Sequence, residues 1–126
     1  MTVTKFTFFE VLKDYFCQRF TFNFNLQITI NMTIEEALTQ GTLIDVREPM
    51  EFQMQHAEGA INIPLGEIMN KQSDINTMKK PILLYCQSGN RSGQAEMLLR
   101  TLGVEDAFNI GSVFEVIQLQ RQMQNT

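Results

Sequence analysis

A cysteine at the junction between a short apolar segment and a helical pattern is the residue of this chain best placed for chemistry. The segment Pro81–Gly103 opens with the apolar or aromatic residues 82–85, a pattern typical of a strand buried on both faces, and Cys86 follows them. A polar loop with a glycine comes next, and apolar residues at helical spacing then continue to Gly103. The order predicts a strand, a tight loop and a helix, in which the loop N–H groups and the positive end of the helix dipole face one point.

A thiol at that point should lose its proton more readily than in water, because the loop N–H groups and a neighbouring cation stabilise the thiolate. Cysteines at helix N-termini or beside Arg have pKa values of roughly 3.5–7.5, against about 8.5 for a free thiol. The planar fork of Arg91 suits a sulfonate, sulfate or phosphate group. We therefore predict that Cys86 is the catalytic nucleophile. The predicted anion-binding or substrate-binding loop consists of Gln87, Ser88, Gly89, Asn90, Arg91 and Ser92.

The loop CQSGNRS, Cys86–Ser92, resembles the active-site loop of the rhodanese family of sulfurtransferases. The likeness extends backward through LIDVREPMEF (Leu43–Phe52) and HAEGAINIPL (His56–Leu65), so that it covers about residues 33–113. This resemblance implies a persulfide mechanism. In it, Cys86 takes a sulfane sulfur from a donor such as thiosulfate and passes it to a thiophilic acceptor such as cyanide or a thiol.

Three functions remain open for such a loop. Besides sulfur transfer, they are a catalytically idle rhodanese-like module that only binds partners or anions, and a cysteine phosphatase or arsenate reductase, which also places a thiolate in an anion cradle. Four residues separate Cys86 from Arg91, one fewer than in cysteine phosphatases of similar layout. The shorter loop makes a smaller ring of N–H groups, which favours a persulfide sulfur over a phosphoryl group. The presence of both residues disfavours the idle module, so sulfur transfer is the leading hypothesis.

The elements that must position this loop alternate between strands and helices, which predicts an α/β domain with three layers and a mainly parallel sheet. The resemblance implies a rhodanese-like sheet of five strands with helices on both faces. Thr33 and Glu36 form a capping-box pattern that should start a helix ending near Gln40. The next strand is expected at Leu43–Val46. Asp45 and Arg47 stand at its C-terminal end, on the rim where the reactive cysteine emerges, and we expect them to support the loop through an ion pair or hydrogen bonds.

Further helices and strands are expected in the rest of the region. We expect a helix at Glu48–Gln55 and a turn into a short strand at Gly59–Pro64. A last strand at Glu105–Ile110 and a C-terminal helix at Val113–Met123 should follow. His56 is expected to have a structural role rather than a catalytic one. The family usually has a second glycine after the last strand and a tryptophan further on. Here Ser112 and Phe114 stand nearby and the chain has no Trp, so the far wall of the pocket departs from the resemblance.

The first 31 residues have a different character. Several Phe side chains of residues 1–20 fall near one helical face, and residues 20–30 alternate strictly between apolar and polar, as in a strand with one wet face. Charged residues interrupt residues 1–20, so a secretory signal is not supported. We expect residues 1–31 to be an N-terminal extension of uncertain order, with a helix and then the alternating strand, and residues 32–126 to form the rhodanese-like domain.

Composition restricts the class of protein and its partners. The chain has 126 residues, 44% of them hydrophobic, which suits one domain with a real core. A net charge of −4 and no basic cluster argue against nucleic acid or a membrane as partner. Its two cysteines make neither a disulfide framework nor a metal-ligand cluster, and a free thiol suits a reducing cytoplasm. We expect a cytoplasmic enzyme without metal or cofactor. Its partners would be a small sulfur donor, a thiol or cyanide acceptor, or a persulfide-carrying protein; its oligomeric state is left open, with a monomeric core favoured.

Overall fold

The fold is taken from a computed structural model, which describes residues 32–125. The chain divides between Thr39 and Gln40 into two units, and the first of them is described from residue 32 onward. The helix and the alternating strand predicted within residues 1–31 lie outside the described residues. Those two elements and the predicted boundary at residue 32 therefore stay predictions.

Helix α1, Ile34–Gln40, begins where the capping pattern predicts. The N–H group of Glu36 donates to Thr33 Oγ1 at 3.0 Å, and the N–H group of Thr33 donates to Glu36 Oε1 at 3.2 Å. These reciprocal bonds satisfy two N–H groups that have no partner inside the helix. The predicted capping box and the predicted helix end are confirmed.

A four-stranded parallel sheet forms the second unit, in the order β2-β1-β3-β4. Its strands are β1 Thr42–Asp45, β2 Ile61–Asn62, β3 Ile82–Cys86 and β4 Ala107–Ser112. The predicted α/β class and the parallel sheet are confirmed. The count of five strands is wrong by one for residues 32–125. The apolar patterns of this region contain four strand segments, and the fifth strand was implied only by the resemblance.

Strand β3 lies inside the sheet and is the strand that carries the cysteine. All five of its residues are buried. Because successive side chains of a strand point to opposite faces, this burial means that both faces of the sheet are covered. The side chains of Ile82, Leu84 and Cys86 share one core cluster with Ala95 and Leu99.

Helices connect the strands and cover the sheet. They are α2 Pro49–Met54, α3 Gln72–Asn76, α4 Asn90–Thr101 and α5 Val113–Gln124, with a 3₁₀ turn at Leu65–Glu67. Helix α4 ends as predicted, since Gly103 adopts φ +99°, a left-handed conformation that suits glycine, and the Val104 N–H donates back to the Leu99 carbonyl at 2.8 Å. No helix within residues 32–125 combines the length and apolar character needed to cross a membrane.

The last strand differs from its prediction at both ends. We predicted a last strand at Glu105–Ile110, whereas β4 runs from Ala107 to Ser112. Leu84 pairs with Asn109 and the next residue of β3 pairs with Gly111, so Ile110 is the extra residue of a β-bulge. The bulge lets the strand continue past Ile110 and places Ser112 beside Cys86.

Ser112, the last residue of β4, caps helix α5. Its Oγ accepts from the N–H of Glu115 at 3.2 Å, and Glu115 Oε1 accepts from the N–H of Ser112 at 2.9 Å. This capping box starts α5 directly at the end of β4. Ser112 therefore has a structural role at the end of the strand that adjoins the cysteine.

Candidate active site

The loop between β3 and α4 bends around the sulfur of Cys86. Gly89 is the residue before the first turn of α4, and its φ of +95° is a conformation that other residues adopt only with strain. No side chain caps the N-terminus of this helix, so its first N–H groups remain available to the loop. A Cβ atom on Gly89 would stand 3.7 Å from Gly111 Cα, which shows how closely the bulged strand approaches the loop.

Several donors converge on Cys86 Sγ. The Gly89 N–H donates to the sulfur at 3.0 Å, and Ser92 Oγ lies 3.5 Å from it. Burial by itself raises the pKa of the thiol. Hydrogen bonds from Ser92 and from the N–H groups of Ser88 and Gly89 outweigh that effect and place the pKa below its ordinary value. This is the direction predicted from the loop, and it means that thiolate is retained to lower pH than for a free thiol.

Arg91 is held by a partner that the sequence analysis did not identify. Its Nη1 and Nη2 atoms donate to the two carboxylate oxygens of Glu51 on α2, each at 3.0 Å, and both side chains are 34% exposed. This bidentate bond lowers the pKa of Glu51 and raises that of Arg91, and the nearby charge of Cys86 adds to the rise for Arg91. The Arg91 guanidinium, which was expected to face a substrate, therefore faces Glu51 in this structure.

The predicted supporting pair, Asp45 and Arg47, is buried at the rim of the sheet, with exposures of 0% and 3%. Arg47 Nη2 donates to Asp45 Oδ2 at 2.9 Å, and Nε donates to Oδ1 at 3.0 Å. Burial lowers the pKa of Arg47, but the bonds to Asp45 outweigh burial and raise it. Arg47 also donates from Nη1 to Gln87 Oε1 at 3.1 Å and from Nη2 to the Gln55 carbonyl, so that one guanidinium links the loop to the end of α2.

The remaining predicted residues lie at the outer side of the loop. Ser88 and Asn90 are exposed, and Ser88 contributes its backbone N–H to the sulfur.

His56 stacks on Phe52 with ring centroids 3.7 Å apart, and its Nδ1 lies 2.7 Å from the Phe52 carbonyl oxygen. These contacts are the structural role expected for the histidine. Within residues 32–125, no group of three or more His, Cys, Asp or Glu side chains is arranged to hold a metal ion.

Two residues of the site were missed by sequence reasoning, Glu51 and Asn109. Asn109 Oδ1 lies 2.7 Å from Ser92 Oγ, and Asn109 Nδ2 donates to the Gly89 carbonyl at 3.0 Å. An Asn inside an apolar strand is a weak sequence signal, because strands are depleted in this residue. Glu51 had no comparable signal, since it is one of two glutamates near the start of a short predicted helix.

Comparison with known families gives one match that covers most of the region. The rhodanese-like domain family matches residues 31–117. This range contains the cysteine loop, the buried pair at the rim, the Glu51 partner and the bulged strand.

Similar proteins agree with that match. The uncharacterized protein YqhL of Bacillus subtilis is 43% identical over 76 residues, and the chain covers 60% of its length. The thiosulfate sulfurtransferase PspE of Escherichia coli is 35% identical over 74 residues, which are 58% of this chain and 71% of PspE. A solved structure described as a rhodanese with anions from E. coli has 34% identity and a TM-score of 0.55, over 60% of this chain and 89% of that one.

Proposed function

Because the chain belongs to the rhodanese-like domain family, we propose that it is a sulfurtransferase that carries sulfur as a persulfide on Cys86. The observation that supports this most directly is the sulfur at the focus of the loop, with the Gly89 N–H at 3.0 Å and Ser92 Oγ at 3.5 Å. The relative PspE, whose name is thiosulfate sulfurtransferase, supports the reaction class. Thiosulfate is accordingly the donor proposed for testing, with cyanide or a thiol as acceptor.

The proposed reaction has two steps. The Cys86 thiolate attacks the sulfane sulfur of thiosulfate; a new S–S bond forms, the old S–S bond breaks, and sulfite leaves with the electron pair. The acceptor then attacks the outer sulfur of the persulfide and releases the Cys86 thiolate, giving thiocyanate from cyanide or a persulfide from a thiol. Because the pKa of Cys86 is lowered, the first step should slow only as the pH falls through that lowered value.

The loop's own groups perform the binding and the charge stabilisation in this proposal. The N–H groups of Ser88 and Gly89, which already lower the pKa of the thiol, would hold the negative charge of the thiolate and then that of the persulfide. Gln87 is positioned by Arg47, and Arg91 brings the positive charge for an anionic donor. We place the reaction in the cytoplasm, with the core acting as a monomer and without a cofactor.

The direct test is a mass measurement of Cys86 after exposure to thiosulfate. The expected result is an increase by one sulfur atom on the Cys86 peptide, removed again when cyanide is added with release of thiocyanate. Hydrolysis of an aryl phosphate is assayed in parallel. A protein that hydrolyses aryl phosphate and forms no sulfur adduct would place the chain with the cysteine phosphatases, and a protein that does neither would fit the idle module.

The Arg91–Glu51 pair predicts an effect on donor binding. A half-exposed ion pair is worth only about 0–1 kcal/mol, so an anionic donor can displace the Glu51 carboxylate from Arg91. Glu51→Gln should therefore lower the KM for thiosulfate several-fold, because the Arg91 guanidinium then has no charged carboxylate of residue 51 competing with thiosulfate for it. Arg91→Ala should raise the KM by about tenfold or more through the loss of charge-assisted bonds. Steady-state kinetics with varied thiosulfate measure both changes.

A matched control separates donor binding from loop support. Glu105→Gln removes a carboxylate from an exposed position just before β4, at the opposite end of that strand from Ser112, and should leave the KM near the wild-type value. If Glu51→Gln instead raises the KM and lowers kcat, the pair holds the loop in place and Arg91 does not bind the donor.

A further inference from the structure

Asn109 occupies the centre of a hydrogen-bond network behind the cysteine loop. Its Oδ1 accepts from the Gly111 N–H at 3.0 Å and lies 2.7 Å from Ser92 Oγ. Its Nδ2 donates to the Gly89 carbonyl at 3.0 Å. The two residues held in this way, Ser92 and Gly89, are the same two whose Oγ and N–H contact Cys86 Sγ.

The orientation of this amide follows from the chemistry of its partners. A backbone N–H only donates and a carbonyl only accepts, so Oδ1 must face Gly111 and the amino group must face Gly89. Reversing the amide would set its donors against an N–H group and its oxygen against a carbonyl. With Oδ1 placed, Ser92 must donate its hydroxyl proton to Asn109, because an amide oxygen has no proton to give.

The Ser92 hydroxyl has two neighbours to which it can donate its proton, Asn109 Oδ1 and Cys86 Sγ. A hydroxyl carries one proton and two lone pairs. While the proton points to Asn109, a lone pair is available to the sulfur, which suits a protonated thiol. When Cys86 ionises, the hydroxyl can rotate and donate to the thiolate, and Asn109 Oδ1 keeps its bond from Gly111.

We propose that Asn109 is a positioning residue for the reactive sulfur: its amide fixes the backbone of Gly89 through the Gly89 carbonyl, so that the N–H of the same residue stays directed at the sulfur, and its Oδ1 accepts the Ser92 hydroxyl proton until the thiolate forms. The inference rests on the proposed function, because it concerns the same sulfur. It adds a residue outside the loop, 17 positions from Ser92 and 20 from Gly89 along the chain. Asn109 does not itself contact the sulfur in this arrangement and acts through the two groups that do.

Removing the Asn109 amide should raise the pKa of the Cys86 thiol. Asn109→Leu keeps a similar size and removes all three side-chain bonds. The Gly89 N–H makes the shorter of the two contacts with the sulfur, 3.0 Å against 3.5 Å for Ser92 Oγ. Loosening the Gly89 backbone, and with it the position of this N–H, should therefore outweigh the release of the Ser92 hydroxyl. We expect the pKa of Cys86 to rise by about one unit, the size of one weakened hydrogen bond to a charged group.

The experiment measures the rate of iodoacetamide alkylation at Cys86 against pH on the full chain, with the modified peptide quantified by mass spectrometry. Asn109→Leu and Ser92→Ala should each move the profile to higher pH, and Ser92→Thr, which keeps the hydroxyl, should stay near wild type. The double variant, Asn109→Leu with Ser92→Ala, should shift the pH profile by less than the sum of the two single shifts, since the two residues share one network. Asn70 is exposed, as Asn109 is, but lies outside this network; Asn70→Leu makes the same chemical change and should leave the profile unmoved.

Two results would overturn the proposal. One is an Asn109→Leu profile that coincides with wild type, and the other is a profile shifted to lower pH, which would mean that Asn109 only competes for the Ser92 proton. If Asn109→Leu does not fold, Asn109→Ala replaces it. Alanine removes the same side-chain bonds and adds no charge, so the profile should again move to higher pH, and an unmoved profile again overturns the proposal.

The readout separates this inference from the reaction proposed above. Alkylation reports the thiolate without any sulfur donor. A shifted profile in a protein that forms no persulfide would remove the sulfurtransferase proposal and keep the role of Asn109. Persulfide formation together with an unmoved Asn109→Leu profile would keep the sulfurtransferase proposal and remove the role of Asn109.

Discussion

Cys86→Ser should reduce thiosulfate:cyanide transfer to the uncatalysed background, a loss of about four orders of magnitude or more, as expected when a nucleophile is removed. A serine oxygen cannot form a persulfide, and the loop N–H groups by themselves supply no sulfur carrier. The substitution is nearly isosteric, so the Gly89 N–H and Ser92 Oγ that contact Sγ keep a polar partner. Transfer measured by thiocyanate formation should vanish while the melting temperature changes little.

The other cysteine provides the matched control for this result. Cys17→Ser makes the same atomic change elsewhere in the chain, and we expect it to leave transfer and the sulfur adduct on Cys86 intact. Appreciable transfer by the Cys86→Ser variant would mean that sulfur is carried on another group. The proposed role of the β3–α4 loop would then fail.

Arg47→Ala should lower the free energy of unfolding by about 3–5 kcal/mol, because it leaves a buried carboxylate without its partner. Asp45 is 0% exposed and accepts several bonds from Arg47, including two from its Nε and one from its Nη2. The total stability of a small domain is about 5–15 kcal/mol, so the loss should be obvious in urea or thermal denaturation. The variant also frees Gln87 from Arg47.

Arg91→Ala is the matched control, because both arginines link the loop to α2 and differ mainly in burial. The Arg91–Glu51 pair is 34% exposed on each side, and its loss should cost about 0–1 kcal/mol. A double variant, Asp45→Ala with Arg47→Ala, should lose less stability than the sum of the single variants, since neither charge is then left alone. Equal losses for Arg47→Ala and Arg91→Ala would contradict this assignment of burial.

The segment that carries the chemistry was predictable from local sequence signals. The apolar run of β3, the glycine of the loop, the helical spacing after it and the stop at Gly103 are signals within one short segment, and the structure has each of them. The capping box at Thr33 was equally local. Such features depend on backbone preferences and on side chains a few residues apart, and they can therefore be read from the order of residues alone.

Contacts between distant parts of the chain set what Arg91 faces and which residues support the cysteine loop. Glu51 lies 40 positions from Arg91, and no local rule selects it over another carboxylate. Asn109 lies 17 positions from Ser92, and a bulge at the next residue, Ile110, shifts the register of β4 against β3, so that Gly111 and Ser112 stand beside the end of β3. A shift of one residue changes which side chain faces the loop, since neighbouring residues of a strand point to opposite faces. That register depends on the packing of β4 against β3 and α4, and the sequence pattern of β4 alone did not reveal it.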